Sequence, residues 1–406
     1  MKYLIASIAL AIALAGSLVA QIPVSKHVYI LAEENRSYEH IVGSSYMPYL
    51  NSLIARGTLF TQYYANQHNS ITDYFWVTSG QVPTSNNETT ATYNVDNIVR
   101  HAMQLGLSFK DYAQSIPYVG YAGVASGEYV KRHTALPYYS DMGNSATEMR
   151  KLVPATQLLT DIRNGTLPDF AFIAPDLVHD IHTCPTTLGA CEQEADLFLK
   201  TYIKPLLATP EFQPGGDGLL FIWTDEADLS TDNRCSATVS TGCGGHIAVV
   251  AIGPRVKAGY KSPLTYHHQN LLRTMLTAMG DKKSYPGAAE TAVAMNDIFV
   301  GNPNGGSSSP TLSVTVQSPT AGETVGTAMH VAATSVPAVT AMQVYVDGTL
   351  VYKVAADVIS TNLTVAPGAH AIAVKAWENS GANAIKIVNV TATTSSAGVT
   401  IQSPAP

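Results

Sequence analysis

Gly218-Leu219-Leu220-Phe221-Ile222-Trp223-Thr224-Asp225-Glu226 is an unbroken apolar run that stops at two adjacent carboxylates. A strand needs apolar side chains at every position only when both faces of its sheet are covered, as in parallel sheets flanked by helices. Two further segments repeat the pattern. His27-Val28-Tyr29-Ile30-Leu31-Ala32 runs into Glu33-Glu34-Asn35, and Asp169-Phe170-Ala171-Phe172-Ile173-Ala174-Pro175 runs into Asp176, His179, Asp180 and His182. Ligands of open α/β sheets bind just beyond the carboxyl ends of the strands, so three clusters distant in sequence are expected to meet at one site.

Between these runs, apolar residues recur at three- and four-residue steps over 49–56, 97–105, 147–163, 192–207 and 268–278, which predicts helices there. Strand alternating with helix gives an α/β fold with a mostly parallel sheet over 22–300. Residues 301–310 are a linker by their Gly, Ser, Asn and Pro content. Short alternating runs at 312–316, 329–333, 341–346, 349–353, 369–377 and 385–391 predict a C-terminal immunoglobulin-like β-sandwich over 311–394, and 395–406 reads as a disordered tail.

Residues 1–20 carry one Lys followed by an apolar run ending in small residues, the layout of a cleaved signal peptide. The mature protein is therefore expected outside the cytoplasm, secreted or periplasmic, with no stable membrane span. Net charge is −7 and no basic stripe is present, which argues against a nucleic-acid partner. The four cysteines form two local pairs, Cys184 with Cys191 and Cys235 with Cys243. Export favours disulfides, with local pairing one of three connectivities, and neither spacing is a zinc signature.

Ser70 follows Asn66-Gln67-His68-Asn69 and opens a helical stretch. A hydroxyl there sits among unpaired backbone N–H groups that favour a phosphate oxygen, a placement suited to a nucleophile. Glu34, Asp225 and Glu226 offer hard oxygen ligands to a divalent ion such as Mg, Mn or Ca, and nearby histidines shift the preference toward Zn or Fe. His68, His179, His182 and His246 lie near these motifs, able to bind phosphate or metal or to protonate a leaving oxygen.

Six ordered segments, LAEENRSYEHIVG (31–43), MPYLNSLIARGTLFTQYYANQHNSITDYFWVTSG (47–80), APDLVHDIH (174–182), LLFIWTDEAD (219–228), GGHIAVVAIGPRVKAGY (244–260) and YHHQNLLRTM (266–275), resemble the secreted phosphoesterase family. That family includes acid phosphatases and bacterial phospholipase C enzymes and belongs to the alkaline phosphatase superfamily. The resemblance implies an alkaline-phosphatase-like α/β/α sandwich, a nucleophile at Ser70, and one or more divalent metal ions held by Glu34, Asn35, Ser70, Asp225 and Glu226. It also implies catalytic roles for His182 and His246 and substrate contacts from Asn35, His68, Asp73, Asp176, His179, Asp180 and His268. Thr72 and Asp73 stand where relatives commonly have Pro, and His179 where they often have Asn.

The expected function is an exported metal-dependent phosphatase of the acid phosphatase type, acting on a small-molecule or lipid phosphoester through a phosphoserine intermediate. A phospholipase C or other phosphodiesterase is the alternative within enzymes. A non-catalytic secreted or surface binding protein, whose C-terminal domain contacts a polymer or surface, is the alternative outside them. A sulfatase is disfavoured, because no Cys or Ser has the Cys/Ser-x-Pro-x-Arg context.

Overall fold

The computed structural model describes residues 22–183, 187–228, 232, 234, 243–300, 312–336, 339, 341–377 and 383–394. The leader, Cys184, Cys235, the 301–310 linker and the 395–406 tail lie outside the described residues. The rest divides into two compact units, one within 22–300 and one within 312–394.

The first unit is built on an eight-stranded sheet. Its strands are β1 (Val28–Glu33), β2 (Thr58–Phe60), β3 (Phe109–Ala113), β4 (Leu152–Pro154), β5 (Phe170–Ala174), β6 (Leu219–Thr224), β7 (Val249–Ile252) and β8 (Tyr260–Ser262). They lie in the order β8-β2-β7-β6-β1-β5-β3-β4. The run from β6 through β1, β5 and β3 to β4 is parallel, whereas β7 is antiparallel to both its neighbours. Every residue of β1, β5 and β6 is buried, as their continuous apolar sequences require.

The longer helices among the described residues are α1 (Pro48–Arg56), α2 (Ser70–Ser79), α3 (Ile98–Gln104), α4 (Thr156–Asn164), α5 (Leu188–Phe198) and α6 (His268–Ala278). On one sheet face, Tyr29, Leu31, Ile173 and Ile222 share a core with Leu53 of α1, Leu158 of α4 and Phe198 of α5. On the other face, the Tyr74 ring of α2 packs 5.8 Å from Phe172 and 5.3 Å from Trp223, and His268 of α6 packs 5.1 Å from Trp223. Helices therefore cover both faces, giving the expected α/β/α layering.

Two helix predictions are refined. The 147–163 stretch is a 3-10 turn (Glu148–Lys151), then β4, and only then α4. Its Leu152-Val153 pair pairs with β3 and is buried, so sheet pairing overrides the apparent helical spacing. The 192–207 stretch is helical throughout but passes through a π turn (Leu199–Ile203) before Lys204–Leu207. Pro205 has no N–H to give the preceding turn, and a widened turn there absorbs its ring.

The second unit comprises β9 (Ser313–Ser318), β10 (Thr324–Gly326), β11 (Ala328–Val336), β12 (Ala341–Val346), β13 (Thr349–Val354), β14 (Val358–Thr364), β15 (Gly368–Trp377) and β16 (Asn383–Thr393). One sheet runs β9-β11-β14 and the other β10-β16-β15-β12-β13, and Val331, Ile359, Val344 and Val374 from the two sheets share one core. This is a β-sandwich. β14 escapes the sequence reading because it is an edge strand whose outward positions are polar or exposed, which weakens its hydrophobic signal.

Candidate active site

Strand register creates the site. Glu33 of β1 pairs with Thr224 of β6, so the next residues, Glu34 and Asp225, leave the sheet side by side. Main-chain bonds lock the two exits together: Asp225 N–H donates to the Glu33 carbonyl at 3.0 Å, and Arg36 N–H to the Glu226 carbonyl at 3.0 Å. Asn35 N–H donates to Asp225 Oδ1 at 3.0 Å from a left-handed backbone with φ 47°, a conformation asparagine tolerates well. On the other flank, the loop after β5 arrives through Glu34 N–H donating to the Asp180 carbonyl at 2.7 Å.

Ser70 is the first residue of α2 and is buried. Its hydroxyl lies 2.9 Å from Glu34 Oε2 and 3.3 Å from Glu226 Oε1. Asn69 before it has φ 141°, a region costing roughly 1–3 kcal/mol for a residue with a Cβ. The strain is offset by Asn69 N–H donating to Glu226 Oε2 at 3.0 Å and by its side-chain amide donating to the Ser85 carbonyl at 2.8 Å. The Gly244-Gly245 pair serves this same turn. A Cβ on Gly244 would lie 2.0 Å from the Gln67 carbonyl oxygen, so only glycine lets the 243–247 segment seat the chain that carries His68 and Ser70.

No motif singles out His133, which lies in the 3-10 turn Lys131–His133 and is 2 % exposed. Its Nδ1 lies 2.8 Å from Asp180 Oδ2 and its Nε2 3.1 Å from Glu34 Oε1, while its ring stacks on Tyr74 at 5.5 Å. The signal that could have found it is the adjacent Lys131-Arg132, which with His133 makes a run of three basic residues in a chain with few charges.

Several buried polar atoms here have no hydrogen-bond partner: Glu34 Oε1, His133 Nε2, Asp225 Oδ2 and Asn35 Oδ1. Ligand atoms of Glu34, His133 and His182 lie within 4.8 Å of one another. Buried groups left unpaired at one point, all of them lone-pair donors, fit a divalent cation. The electrostatics agree. Burial pushes the Glu34 carboxyl well above the usual range, with Asp225, Asp180 and Glu226 adding to the effect; burial and the Glu226 charge do the same to Asp225. Burial, reinforced by His133 and Arg132, holds His182 down at about 4, and burial keeps His133 neutral as well. Crowded carboxylates beside neutral imidazoles favour an added positive charge.

His68 supports the cluster from its edge. Its Nε2 faces the Asp232 carbonyl at 2.9 Å, which can only accept, so Nε2 carries a hydrogen; Nδ1 then lies 2.8 Å from Glu226 Oε2. That contact requires one more proton, and the Glu226 hydrogen bond accordingly raises the His68 pKa. Asp73 and His268 lie a layer beneath, both wholly buried. Trp223 Nε1–H donates to His268 Nδ1 at 3.0 Å, leaving the ring hydrogen on Nε2, 2.9 Å from the Asp225 carbonyl and 3.0 Å from Asp73 Oδ1. Both ring nitrogens are thus taken by protein, so His268 reaches the site through Asp225 and Asp73 and is closed to direct substrate contact.

Three other predicted residues are drawn elsewhere. Asp176 accepts from Ser115 Oγ at 2.5 Å and lies 2.6 Å from His179 Nδ1, so this pair braces the loop after β5. His246 is sandwiched between the Tyr38 and Tyr64 rings, with Nε2 3.1 Å from the Thr61 carbonyl and Nδ1 3.4 Å from Glu39. No hydrogen bond among the described residues joins the His246 ring to Ser70, Glu34 or Asp225. Asp180, in contrast, orients His133 and accepts from His182 N–H at 2.8 Å.

A phosphatidylinositol-3-phosphatase of Mycobacterium tuberculosis is 26% identical over 286 residues, covering 70% of this chain and 86% of that protein. An acid phosphatase of Aspergillus fumigatus is 27% identical over 202 residues, covering 48% of this chain but only 43% of its own length. Among solved structures, a Vibrio parahaemolyticus protein of the alkaline phosphatase superfamily is similar with a TM-score of 0.44 at 16% identity, over 64% of this chain and 68% of that one. The model of the phosphoesterase family matches residues 44–280, more than half of the chain, and the protein therefore belongs to the phosphoesterase family, whose members hydrolyse phosphoric esters.

Proposed function

We propose that the protein is an exported, metal-dependent phosphomonoesterase of the acid phosphatase type with Ser70 as its nucleophile. The observation that carries this reading is the Ser70 hydroxyl at a helix N-terminus, 2.9 Å from Glu34 Oε2 and beside a knot of unpaired donor atoms. Glu34, Asn35, Asp225, His133 and His182 are the residues that would hold the cation, and two imidazoles in the set tilt it toward Zn, Fe or Mn over Ca or Mg. When bound, a divalent ion there supplies charge neutralisation for the phosphoryl oxygens and acidifies the neighbouring hydroxyl.

The chain's own groups account for the remaining steps. Glu34, with Glu226 at 3.3 Å, takes the Ser70 proton as the Ser70 Oγ–P bond forms and the bond from phosphorus to the leaving oxygen breaks. The α2 N-terminus stabilises charge on the phosphoryl group. The leaving oxygen takes its proton from solvent water; a second water then attacks phosphorus, giving its proton back to solvent, as the Ser70 Oγ–P bond breaks and inorganic phosphate is released, and the proton held by the carboxylate returns to Ser70 Oγ. His182 is neutral at mildly acidic pH, so it coordinates or accepts a hydrogen bond; it is not the proton donor to the leaving group.

The monoester preference is supported by the names of both relatives, a phosphatidylinositol-3-phosphatase and an acid phosphatase. Export is supported by the apolar 1–20 leader. Local disulfides, Cys184 with Cys191 and Cys235 with Cys243, belong to the same reading, since an exported protein favours them. The C-terminal sandwich is read as an immunoglobulin-like spacer or weak binding module. The deciding experiment compares hydrolysis of para-nitrophenyl phosphate and bis-para-nitrophenyl phosphate across pH and divalent metals, with chelator and with Ser70→Ala. Monoester turnover abolished by both is expected. Diester preference, or turnover that survives Ser70→Ala, overturns the reading.

A further inference from the structure

Arg132 precedes His133 in the same 3-10 turn and is only 14% exposed, and its one carboxylate contact among the described residues is a loose one to an exposed side chain. Its Nη2 lies 3.5 Å from His182 Nε2, and its Nη1 lies 3.7 Å from Oε1 of Glu88, a residue 69% exposed. Glu88 belongs to the loop that bounds the nucleophile turn: Asn69 donates to the Ser85 carbonyl at 2.8 Å, and Ile71 N–H donates to Asn87 Oδ1 at 3.3 Å. The Arg132–Glu88 pair therefore spans the rim from the His182 side to the Ser70 side.

The charge pattern gives this pair a purpose. Glu34, Asp225, Glu226 and Asp180 make the floor of the site strongly acidic, and among the described residues no other Lys or Arg side chain contacts Ser70 or the ligand atoms of Glu34, His133 and His182. A divalent ion held by those carboxylates would offset part of that charge, and a guanidinium at the rim adds a second positive group for a phosphate dianion approaching Ser70. A guanidinium presents a fork of N–H donors matched to two phosphoryl oxygens, whereas its loose contact with a solvent-screened carboxylate is readily exchanged.

We propose that Arg132 binds the non-bridging phosphoryl oxygens of the substrate at Ser70, that Glu88 occupies its guanidinium until substrate arrives, and that this exchange selects dianionic phosphomonoesters over monoanionic diesters. The inference rests on the phosphomonoesterase reading above and deepens it.

The test uses the full-length protein at a fixed concentration of its activating metal, with inorganic phosphate as the probe. Phosphate is measured both as an inhibitor and by direct binding calorimetry, and melting curves verify each variant's fold. Arg132→Lys keeps the charge but loses the fork. It is expected to weaken phosphate binding about tenfold and to lower monoester kcat/KM far more than diester kcat/KM. Glu88→Gln, at an exposed position, is expected to tighten phosphate binding about two- to threefold. Phosphate affinity unchanged within twofold in both Arg132→Lys and Arg132→Gln overturns the proposal, as does weaker phosphate binding in Glu88→Gln. Should the wild type turn over neither ester, the phosphomonoesterase reading falls and calorimetry still decides. Phosphate binding lost in Arg132→Gln sustains the Arg132 site, whereas binding that ignores the variant, or none in the wild type, rejects it.

Discussion

His133 Nε2 and Glu34 Oε1 lie 3.1 Å apart, both buried, and no hydrogen bond joins them. Two lone-pair atoms at that separation are the geometry of neighbouring ligands around one ion, and the Nδ1 contact with Asp180 at 2.8 Å aims the free nitrogen inward.

Removing the orienting partner should therefore weaken metal binding without touching a ligand. Asp180→Asn is expected to lower divalent-metal affinity about 10- to 100-fold. Titration of chelator-stripped protein, followed by calorimetry, measures it; an affinity equal to the wild type would show that His133 has a packing role instead.

Gly244→Ala probes the turn that seats Ser70. The added Cβ would meet the Gln67 carbonyl oxygen at 2.0 Å and the Ala65 side chain at 2.7 Å, and neither can retreat without moving the 65–70 segment. A loss of about 1–3 kcal/mol in urea unfolding is expected from such overpacking, together with at least a tenfold fall in kcat. Retained activity at wild-type stability would mean the backbone yields more freely than this contact allows.

Trp223→Phe removes the hydrogen that fixes the His268 tautomer. His268 Nδ1 would lose its donor at 3.0 Å and keep only the Tyr63 hydroxyl at 3.4 Å, beneath Asp225 and Asp73 in a fully buried layer. A destabilisation of about 0.5–1.5 kcal/mol is expected from the lost hydrogen bond alone, before any cost of lost ring volume. Chemical denaturation of variant and wild type reads it directly, and a difference under a few tenths would place the hydrogen elsewhere.

The dependence of stability on pH should be traceable to His101, which is remote from the chemistry. Its Nδ1 bonds Asp281 and its Nε2 lies 3.1 Å from Asp96. Burial lowers the ring's pKa, but the hydrogen bonds to Asp281 and Asp96 outweigh it and the net value is raised. A raised histidine contributes stability that is fully present below the unfolded value of about 6.5 and is lost as pH climbs through the folded value. For Asp281, burial raises the pKa but the His101 hydrogen bond prevails and lowers it, so its share is lost as pH falls through that lowered value. The stability gap between wild type and His101→Gln should be widest in mildly acidic solution and narrow toward alkaline pH. A gap constant from pH 5 to 9 would assign the stability to packing.

The sequence by itself determined the parts that rest on local pattern. The unbroken apolar runs of β1, β5 and β6 specify buried parallel strands, and the polar residues that end them specify where a ligand can sit, because apolar periodicity and strand ends are properties of a few consecutive residues. Ser70 at the head of α2 and the Glu34 and Asp225 pair were legible for the same reason. Tertiary structure alone decided which polar side chains share the site. His133 enters from a turn with no strand before it, while His246 is carried away by two tyrosine rings and His268 is sealed under Trp223. Those outcomes depend on where a ring nitrogen finds its partner across 43 to 207 residues of chain, as in His268 with the Asp225 carbonyl or His246 with Glu39, and no local pattern encodes a partner at that distance.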